Sequence, residues 1–412
     1  MADKETEASE ANIPSPELTT ISKSKPSKPV TSHPSGKVGH GKLMQLLRGI
    51  AFAIYFNGCI VTICITQIIG APLYFFNKEW FYAYMSMTKQ QFGIVITIMT
   101  HVWGSTTMRI SGDESVAGQI LADKNGGVRF KFPERIVLIA NHQIYTDWLY
   151  LWWIAYANNP SMHGHIYIIL KESLKYIPLI GTGMMFYGFI FMSRKMATDR
   201  PRLAHRLSKL CVKKSDPNGK SYFDPMWLLL FPEGTNLSGN GRRKSAAWAK
   251  KTGLTDPEHL LLPRSTGTFF CLNELKGSVD YVYDCTVAYE GVARGKYGEE
   301  AFGLAATYFE GRSPKSVNLY WRRFRVADIP LDNAEKFDEW MRQQWYKKDA
   351  LIEEYLNKGR FPPMTDGVKD YIETEVRTRY PWEILQVFSV VGIAALVWRN
   401  LRKVASTIGS LR

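Results

Sequence analysis

Cysteine is scarce in this sequence of 412 residues, which contains five of them. No two cysteines form a C-x-x-C pair or a spacing typical of zinc ligands, so the pattern argues against a disulfide scaffold and against a zinc site. We therefore interpret Cys59, Cys64, Cys211, Cys271 and Cys285 as structural thiols that face a reducing compartment or lipid.

Acidic residues are too few to balance the basic ones, with 38 Asp and Glu against 52 Lys and Arg. The formal net charge of +14 favours contact with a polyanion, either nucleic acid or an anionic membrane surface. The sequence contains no recognisable nucleic-acid module and no basic arm interleaved with stacking aromatics. Long apolar segments favour a membrane over nucleic acid. A nucleophile elbow is also missing, which argues against a serine hydrolase.

The N-terminal quarter divides into a polar tail and two apolar runs. Residues 1–42 are rich in Ser, Pro, Thr, Lys and Glu and are predicted to be disordered. Residues 46–76 contain one charged residue, Arg48, and can cross a hydrocarbon core of roughly 30 Å. A shorter run covers residues 92–103. We interpret the two runs as a membrane hairpin, or as one span followed by an interfacial helix; a pair of buried globular helices is the alternative. Basic residues before the first run predict a cytosolic N-terminus.

The C-terminal part is predicted to be helical. Residues 337–356 have apolar residues at helical spacing with charges between them, which indicates amphipathic accessory helices. Residues 384–398 form an apolar run that is marginal for a full span and fits a short tilted or re-entrant helix. The chain is thus predicted to contain a disordered tail (1–42), an N-terminal membrane hairpin (43–104), a catalytic domain (105–330), accessory helices (331–381), and a C-terminal membrane helix with a basic tail (382–412).

The most informative stretch is residues 136–150, IVLIANHQIYTDWLY. Its first five residues are apolar, as in a strand that is buried on both faces. The run stops at Asn141 and His142, and ligands bind at such strand ends in open α/β sheets. Asp147 follows His142 by five positions, a spacing that does not place two side chains on one helix face. The pair can meet only if His142 lies in a loop and Asp147 in the first turn of the next helix.

The chemistry of this pair suits general base catalysis. An imidazole with an unperturbed pKa of roughly 6.5 can act as a base near neutrality. A carboxylate bonded to its second nitrogen fixes the tautomer and stabilises the imidazolium. No serine or cysteine in a nucleophile motif accompanies the pair, so we expect the activated hydroxyl to belong to a substrate. The alternative is a loop histidine beside an ordinary helix-start aspartate.

Three further apolar runs end in polar residues. The run that ends near residue 192 leads to Arg194, which we interpret as a ligand contact or as a surface arginine at a membrane face. Residues 226–231 lead to Glu233, which can accept from a hydroxyl, and to Gly234, which permits close backbone approach. Thr235 is predicted to cap the next helix while its amide faces an anion.

The third run, residues 260–262, is predicted to be a strand that ends in a polar turn at Pro263 and Arg264. The basic cluster Arg242, Arg243 and Lys244 suits phosphates, although a solvated helix face is the more usual meaning. Further strands are predicted at residues 166–170, 281–289 and 317–326.

The turns NHQIYTD, FMSR with its upstream IPLIG, FPEGT and LLPRSTG resemble, in this order, the four sequence blocks of the glycerolipid acyltransferase family. These enzymes are acyl-CoA:lysophospholipid acyltransferases of the 1-acylglycerol-3-phosphate type. The stretch EWMRQQWYKKDALIEEYLNKGRFP is similar to the eukaryotic branch that includes lysocardiolipin and lysophosphatidylinositol acyltransferases. The first and third blocks together are specific, and the second and fourth are weaker on their own.

The resemblance implies an α/β fold with a mixed sheet flanked by helices, and acyl transfer from acyl-CoA to a free glycerol hydroxyl of a lysophospholipid. His142 would be the base, and Asp147 would orient it and stabilise its charge. Substrate binding would fall to residues of the other blocks, namely Arg194, Glu233, Gly234, Thr235 and Arg264.

The resemblance also implies no metal, no cofactor beyond acyl-CoA as co-substrate, and a bilayer as partner. The expected location is the endoplasmic reticulum membrane, with the catalytic domain towards the cytosol. A CoA-independent phospholipid transacylase and an inactive membrane scaffold with this fold stay open as alternatives. Lysophosphatidic acid, lysophosphatidylinositol and lysocardiolipin are all candidate acceptors.

Overall fold

A central β-sheet with helices on both faces organises the part of the chain that the structure, a computed structural model, describes: residues 33–123, 126–193, 195–364 and 370–410. The strands are β1 (Thr107–Gly112), β2 (Ile120–Ala122), β3 (Val128–Phe130), β4 (Arg135–Ala140), β5 (Ile166–Lys171), β6 (Ile190–Met192), β7 (Lys213–Ser215), β8 (Ser221–Phe223), β9 (Met226–Leu230), β10 (Tyr281–Tyr289), β11 (Ser316–Arg325) and β12 (Ile372–Glu375). The helices are α1 (Lys42–Gly70), α2 (Leu73–Phe76), α3 (Lys78–Trp103), α4 (Asp147–Ala157), α5 (Ile180–Phe186), α6 (Met196–Leu210), α7 (Gly239–Thr252), α8 (Ser265–Glu274), α9 (Gly298–Ala301), α10 (Leu304–Tyr308), α11 (Ala334–Lys358) and α12 (Leu385–Ser410).

The sheet has eight strands in the order β12-β1-β11-β10-β4-β9-β5-β6. Neighbouring strands are parallel from β10 to β6, whereas β11 runs antiparallel to β10 and β12 runs antiparallel to β1. Two small antiparallel pairs, β2 with β3 and β7 with β8, lie outside this sheet. The predicted α/β fold with a mixed sheet flanked by helices is therefore confirmed.

Strand β4 lies between β10 and β9 and is buried on both faces, because alternate side chains enter two separate cores. Ile136, Leu138 and Ala140 pack into the core that also contains residues of α1, α3 and α4. Val137 and Ile139 pack into the second core, with residues of α6, α8 and α11. The continuous apolar run in the sequence thus corresponds to a strand without a solvent-facing side.

Residues 260–262 do not form the predicted strand. Their side chains are buried, but the amides of Leu261 and Leu262 bond to side chains and not to another strand. The amide of Leu261 donates to Glu233 at 3.2 Å, and the amide of Leu262 donates to Oγ of Ser245 at 3.0 Å. The prediction was wrong because a short apolar run does not reveal which groups satisfy its backbone.

Helices α1 and α3 pack against each other, and α3 packs on α4, the helix that follows β4. Val95, Ile96 and Met99 of α3 and Cys59 and Ile63 of α1 belong to the core on that face of the sheet. The second apolar run of the sequence therefore agrees with the alternative of a buried helix. Apolar composition alone does not separate a helix that faces lipid from one that faces a protein core.

Two helical segments among the described residues are long and apolar enough to cross a membrane, Lys42–Phe76 and Pro381–Thr407. Helix α12 exceeds the predicted run, since it has 26 residues and continues through Arg399, Arg402 and Lys403. Lysine and arginine interrupt the apolar pattern without ending the helix, because both have a high helix propensity.

Residues 33–41 lie within the predicted disordered tail but contact the folded domain. Oγ of Ser35 donates to the carbonyl of Ser313 at 2.6 Å, and the amide of Gly39 donates to the carbonyl of Glu310 at 2.9 Å. The predicted tail boundary at residue 42 is thus too late, and residues 1–32 lie outside the described part of the chain.

Candidate active site

His142 and Asp147 meet at the carboxyl end of β4. The strand ends at Ala140, and α4 begins at Asp147. Nδ1 of His142 lies 2.9 Å from Oδ2 of Asp147. The predicted arrangement, with the histidine in a loop and the aspartate in the first helical turn, is confirmed. The Asp147 side chain is fully buried, whereas that of His142 keeps 16% of its exposure.

The side chain of Asn141 explains how the chain leaves β4 at this point. Its Nδ2 donates to the carbonyl of Val287 at 3.0 Å, and its Oδ1 accepts from the amide of Val287 at 2.7 Å. The last register pair of β4 and β10 is Ala140 with Cys285, so these two bonds extend the pairing by one step through a side chain. Asn141 ends the strand while keeping it attached, and the backbone of His142 turns towards α4.

Four donors hold the carboxylate of Asp147. Oδ2 accepts from the amides of Gln143 at 2.6 Å and Ile144 at 3.0 Å, in addition to the imidazole. Oδ1 accepts from the hydroxyl of Tyr289 at 2.5 Å. Burial, together with the charge of Asp147, raises the pKa of Tyr289, so its hydroxyl keeps the proton that it donates. These bonds offset the cost of burying a carboxylate.

The turn after β9 fixes the backbone of His142 on both sides. Oε1 of Glu233 accepts from the amide of His142 at 3.2 Å, and the amide of Leu237 donates to the carbonyl of His142 at 2.7 Å. Phe231 stacks on the imidazole, with ring centroids 4.3 Å apart and 24° between the planes. Hydrogen bonds therefore hold the backbone of His142, and the stacked ring of Phe231 holds its imidazole.

Glu233 links the loops of the first and fourth sequence blocks. Its two carboxylate oxygens accept from the amides of His142 and Leu261, each at 3.2 Å. Burial raises the pKa of this carboxyl to about 8. The predicted contact of Glu233 with a substrate hydroxyl stays a prediction.

Gly234 and Arg264 lie side by side next to this turn. Gly234 has a φ of 73°, a backbone conformation that favours glycine. A Cβ at this position would lie 3.6 Å from Cδ of Arg264. The amide of Arg264 donates to the carbonyl of Pro232 at 2.8 Å, and its side chain is exposed. The structure thus brings two predicted substrate-binding residues to the edge of the His142 loop.

Thr235 does not cap the following helix, so that prediction was wrong. The cap of α7 is Ser238, whose Oγ accepts from the amide of Gly241 at 3.1 Å. Helix α7 begins four residues after Thr235, and the amide of Leu237 bonds to the carbonyl of His142 before the helix starts. Thr235 is half-buried next to Gly234.

The basic residues that the sequence suggests for phosphate binding differ in their contacts and exposure. Arg194 lies outside the residues that the structure describes, so its role stays a prediction. Arg242 is bound to Asp256 at 2.9 Å and to neighbouring carbonyls, which makes it a structural residue. Arg243 and Lys244 are exposed on α7.

Sequence reasoning missed the contributions of Tyr289, Asn141 and Phe231. Tyr289 is the last residue of β10, whose apolar run was predicted as a strand without a functional residue. Parallel strands present their carboxyl ends at one edge of a sheet, so a polar residue that ends such a run is a usable signal. The sequence identifies Asn141 as a polar residue at a strand end. It does not reveal the bond to Val287, because Val287 lies 146 residues away. Phe231 carries no signal beyond its apolar character.

The geometry makes Nε2 the reactive nitrogen of His142. A carboxylate only accepts hydrogen bonds, so Nδ1 carries the proton that points at Asp147, and Nε2 is unprotonated in the neutral ring. Within the described parts of the chain, no group bonds to Nε2. A histidine in this state can take a proton from a hydroxyl and return it to a leaving group.

A cluster of potential metal ligands among the described residues consists of Glu258, His259 and Glu353. Nε2 of His259 lies 2.9 Å from Glu353, and Arg294 forms a salt bridge with the same carboxylate. Because the guanidinium already supplies the positive charge, we assign this cluster to an ion-pair network. His259 also accepts through its carbonyl from Nε2 of Gln143 at 3.2 Å, which joins the network to the histidine loop.

Comparison with known proteins gives the family. A family model described as acyltransferase matches residues 124–290, and one described as acyltransferase C-terminus matches residues 307–389. An uncharacterised acyltransferase of Schizosaccharomyces pombe is 38% identical over 331 residues, which cover 80% of this chain and 90% of that protein. The chain belongs to the acyltransferase family. The first matched region of this acyltransferase contains both His142 and Asp147.

Other relatives of the acyltransferase have more specific names. The 2-acyl-1-lysophosphatidylinositol acyltransferase of Saccharomyces cerevisiae is 37% identical over 352 residues, which cover 79% of this chain and 88% of that protein. Lysocardiolipin acyltransferase 1 of Danio rerio is 32% identical over 225 residues, 54% of this chain and 53% of that protein. The predicted resemblance to the eukaryotic branch that contains these two activities is confirmed.

Proposed function

We propose that this acyltransferase moves a fatty acyl chain from acyl-CoA to a free glycerol hydroxyl of a lysophospholipid at a membrane surface. The observation that carries the proposal is the contact of His142 with Asp147, which leaves Nε2 of a half-buried imidazole without a bond to any group in the described parts of the chain. Family membership supplies the reaction class, and the names of the relatives supply the class of acceptor.

The proposed reaction has two proton transfers, both at Nε2. His142 takes the proton of the acceptor hydroxyl as the oxygen attacks the thioester carbonyl, and the imidazolium then protonates the departing CoA sulfur. Asp147 stabilises the imidazolium and fixes the ring orientation. A thioester carbonyl is already electrophilic and a thiol has a pKa of roughly 8.5, so the leaving group needs no activation beyond this proton transfer.

The acceptor is proposed to bind along the turns that follow β9 and precede α8. Arg264 is exposed next to Gly234 and can bind an oxygen of the glycerophosphate. We assign Arg194 and Thr235 to the same phosphate region on the basis of the sequence blocks. Glu233 contributes by holding the histidine loop through the amide of His142.

A membrane location is proposed from the helices around the site. The segments Lys42–Phe76 and Pro381–Thr407 have the length and composition of membrane helices. Helix α4, which carries Asp147, packs on α3 through Trp148 and Phe92, whose ring planes lie 4° from parallel. A catalytic helix attached to apolar helices suits two substrates that both carry acyl chains. We propose the cytosolic face of the endoplasmic reticulum as the site of action.

Lysophosphatidylinositol is the first acceptor to test, because a relative that is 37% identical and aligns over most of both chains is named for it. Lysocardiolipin and lysophosphatidic acid follow, since other relatives are named for lysocardiolipin and for 1-acyl-sn-glycerol-3-phosphate. A panel of these acceptors with one radiolabelled acyl-CoA would rank them.

His142→Ala tests the proposed function directly. We expect acyl transfer in microsomes to fall by about 10²–10⁴-fold, because the variant lacks the general base. His205→Ala is the matched control, since His205 is exposed on α6, and we expect it to retain activity. Immunoblots establish that both proteins accumulate to the same level.

Three results would contradict the proposal. Normal transfer by His142→Ala removes the histidine from catalysis. Transfer by the wild-type protein from a diacyl phospholipid without acyl-CoA identifies a CoA-independent transacylase. No transfer from either donor to any acceptor of the panel identifies an inactive scaffold.

A further inference from the structure

Four basic residues lie around the carboxyl ends of β5 and β6, and two of them share one carboxylate. Nζ of Lys175 lies 2.7 Å from Oε1 of Glu172, and Nη1 of Arg202 lies 3.0 Å from the same oxygen. Lys171 is the last residue of β5, Lys195 directly precedes α6, and both are exposed. We call Lys171, Lys175, Lys195 and Arg202 the edge cluster, because β6 is the edge strand of the sheet.

The edge cluster keeps an excess of positive charge. The hydrogen bonds from Lys175 and Arg202 lower the pKa of Glu172, so this carboxylate stays ionised and balances one of the two cations that it joins. Asp199 is buried, where it accepts from the amide of Lys195 at 3.1 Å. The four cations outnumber these two carboxylates. The side chains of Lys175 and Arg202 keep 25% and 49% of their exposure, so both can contact an anion from solvent.

The edge cluster and His142 lie at the same edge of the sheet. Strands β4, β9, β5 and β6 are neighbours in this order and run parallel, so their carboxyl ends lie side by side. Three steps of roughly 4.8 Å place the end of β6 about 14 Å from the end of β4. A ligand that reaches both ends must be extended, and its negative charge must lie far from the histidine.

The acyl-CoA of the proposed function has this form. Its pantetheine arm separates the thioester from the diphosphate by a length comparable to four extended residues, roughly 14 Å. The diphosphate and the 3′-phosphate together carry about four negative charges at neutral pH. Next to the cluster, the ring of Tyr176 is 73% exposed, and Nζ of Lys175 lies 4.9 Å from its centroid. An exposed aromatic ring beside cations suits adenine, because bases stack on such rings.

We propose that the edge cluster binds the phosphates of acyl-CoA, with Lys175 and Arg202 as the central pair and Tyr176 as the ring on which the adenine stacks. The proposal rests on the acyl-CoA donor of the proposed function. Glu172 holds the two central cations together before the ligand binds, and charge-assisted hydrogen bonds then join them to phosphate oxygens. The pantetheine arm extends from there along the carboxyl ends of the strands towards Nε2 of His142.

A comparison of two donors tests the proposal. Oleoyl-CoA carries the phosphates and the adenine, whereas S-oleoyl-pantetheine has the same thioester and arm without them. We expect Lys175→Ala and Arg202→Ala to raise the KM for oleoyl-CoA by about 10–100-fold, the usual effect of losing a hydrogen bond to a charged group, and to leave the acceptor KM unchanged. With S-oleoyl-pantetheine both variants should match the wild type, which also establishes that they are folded.

The matched control is Lys209→Ala. Lys209 is exposed on α6 about two turns beyond Arg202, away from the carboxyl ends of the strands. The control should keep the wild-type KM for oleoyl-CoA. An unchanged KM for oleoyl-CoA in both Lys175→Ala and Arg202→Ala would overturn the proposal. A raised acceptor KM alone would assign the cluster to the acceptor, and an equal loss with both donors would assign it to folding or to the membrane surface. Either result would also overturn it.

Binding of free CoA to the detergent-purified protein gives a measurement that does not depend on turnover. Equilibrium dialysis should show a Kd that is about 10–100-fold higher for Lys175→Ala and Arg202→Ala and unchanged for Lys209→Ala. Equal Kd values for all four proteins would overturn the proposal. A protein that binds CoA through the edge cluster but transfers no acyl group would refute the proposed function alone.

Discussion

Tyr289 adds a third side chain to the proposed catalytic pair of His142 and Asp147. Its hydroxyl donates to the Asp147 oxygen that the imidazole does not use, and both groups are buried. Asp147 is therefore oriented from the sheet as well as from the loop before its own helix. A tyrosine in this position acts on the reaction through the carboxylate and does not need to contact substrate.

We predict that Tyr289→Phe lowers kcat with little change in the acceptor KM. The variant keeps the ring but removes one donor from a buried carboxylate, which should also lower the free energy of unfolding by about 1–3 kcal/mol. Steady-state kinetics and urea unfolding measure the two effects. Tyr222→Phe, at an exposed position on β8, should change neither. A raised KM with normal kcat would place Tyr289 in acceptor binding instead.

Glu233 should make stability depend on pH. Its carboxyl has a pKa of about 8 in the folded protein, against a usual value of 4.5, so the folded state binds more protons between these values. Stability therefore falls as the pH rises from about 5 to 8, where the carboxyl ionises in its buried site. Unfolding at several pH values would detect the slope.

The variant Glu233→Gln separates the effect of Glu233 ionisation on stability from the effect of its hydrogen bonds. The variant cannot ionise, so its stability should lose that part of the pH dependence. Its amide NH₂ must face the amide of either His142 or Leu261, and two opposed donors should destabilise the fold by about 1–3 kcal/mol. An unchanged pH slope in Glu233→Gln would assign the titration to another group.

The residues of the site differ in how far the sequence predicts them. His142 and Asp147 could be paired because five positions and one strand end constrain the turn between them. Glu233 was placed in the site, but as a substrate ligand and not as the link between two loops. Tyr289 and Asn141 act through partners 142 and 146 residues away, and such long-range contacts are absent from local patterns.

At the scale of elements, the connection of β4 to β10 depends on one side chain. We predict that Asn141→Ala destabilises the protein by about 1–3 kcal/mol, because the amide and carbonyl of Val287 lose buried partners. Activity should fall as well, since His142 is the next residue. Asn141→Asp keeps the acceptor but turns a second oxygen towards the carbonyl of Val287 and buries a charge, so it should destabilise the protein at least as much as Asn141→Ala in urea unfolding. Equal stability of Asn141→Ala and wild type would show that the Asn141 side chain does not stabilise the connection of β4 to β10.

The predicted strands at residues 136–140, 166–170, 226–231 and 281–289 are present to within one residue, whereas the strand predicted at residues 260–262 is not. Residues 136–140 and 281–289 lie in the centre of the sheet, where burial on both faces enforces a continuous apolar pattern. Residues 260–262 have the same composition but are held by Glu233 and Ser245. Helix α12 was predicted too short because its basic residues end the apolar run without ending the helix.

At the scale of the whole molecule, α11 is joined to the sheet by buried charges. Nζ of Lys348 lies 2.5 Å from one oxygen of Asp284, and Arg322 of β11 lies 2.6 Å from the other. Burial lowers the pKa of Lys348, but the Asp284 carboxylate opposes this effect. The ion pairs connect the two regions that match separate family models.

We predict that Lys348→Met lowers the free energy of unfolding by about 3–5 kcal/mol, the usual cost of breaking a buried ion pair from one side. Lys347→Met is the matched control, because Lys347 is the preceding residue of α11 and is exposed. Urea unfolding of the two variants in the same detergent gives the difference. A loss as small as that of the control would show that Arg322 alone satisfies Asp284.

The fold class and the order of the sequence blocks followed from the sequence, but the relation of the N-terminal helices to the rest did not. Residues 43–104 were predicted as a separate membrane segment because they are apolar. In the structure, α3 contributes Val95, Ile96 and Met99 to the core beneath the sheet. Hydropathy measures how apolar a helix is. It does not show whether the helix contacts lipid or a protein core.

The short ordered segment before α1 has a practical meaning for work on this enzyme. The ring of His33 lies edge-on to Phe302 at 5.7 Å, and Phe302 lies 5.7 Å from Tyr289, which bonds to Asp147. Three contacts therefore separate His33 from the carboxylate of Asp147. Trimming the protein at residue 42, the boundary that composition suggests, would remove the first of them, so expression truncations should stop before residue 33.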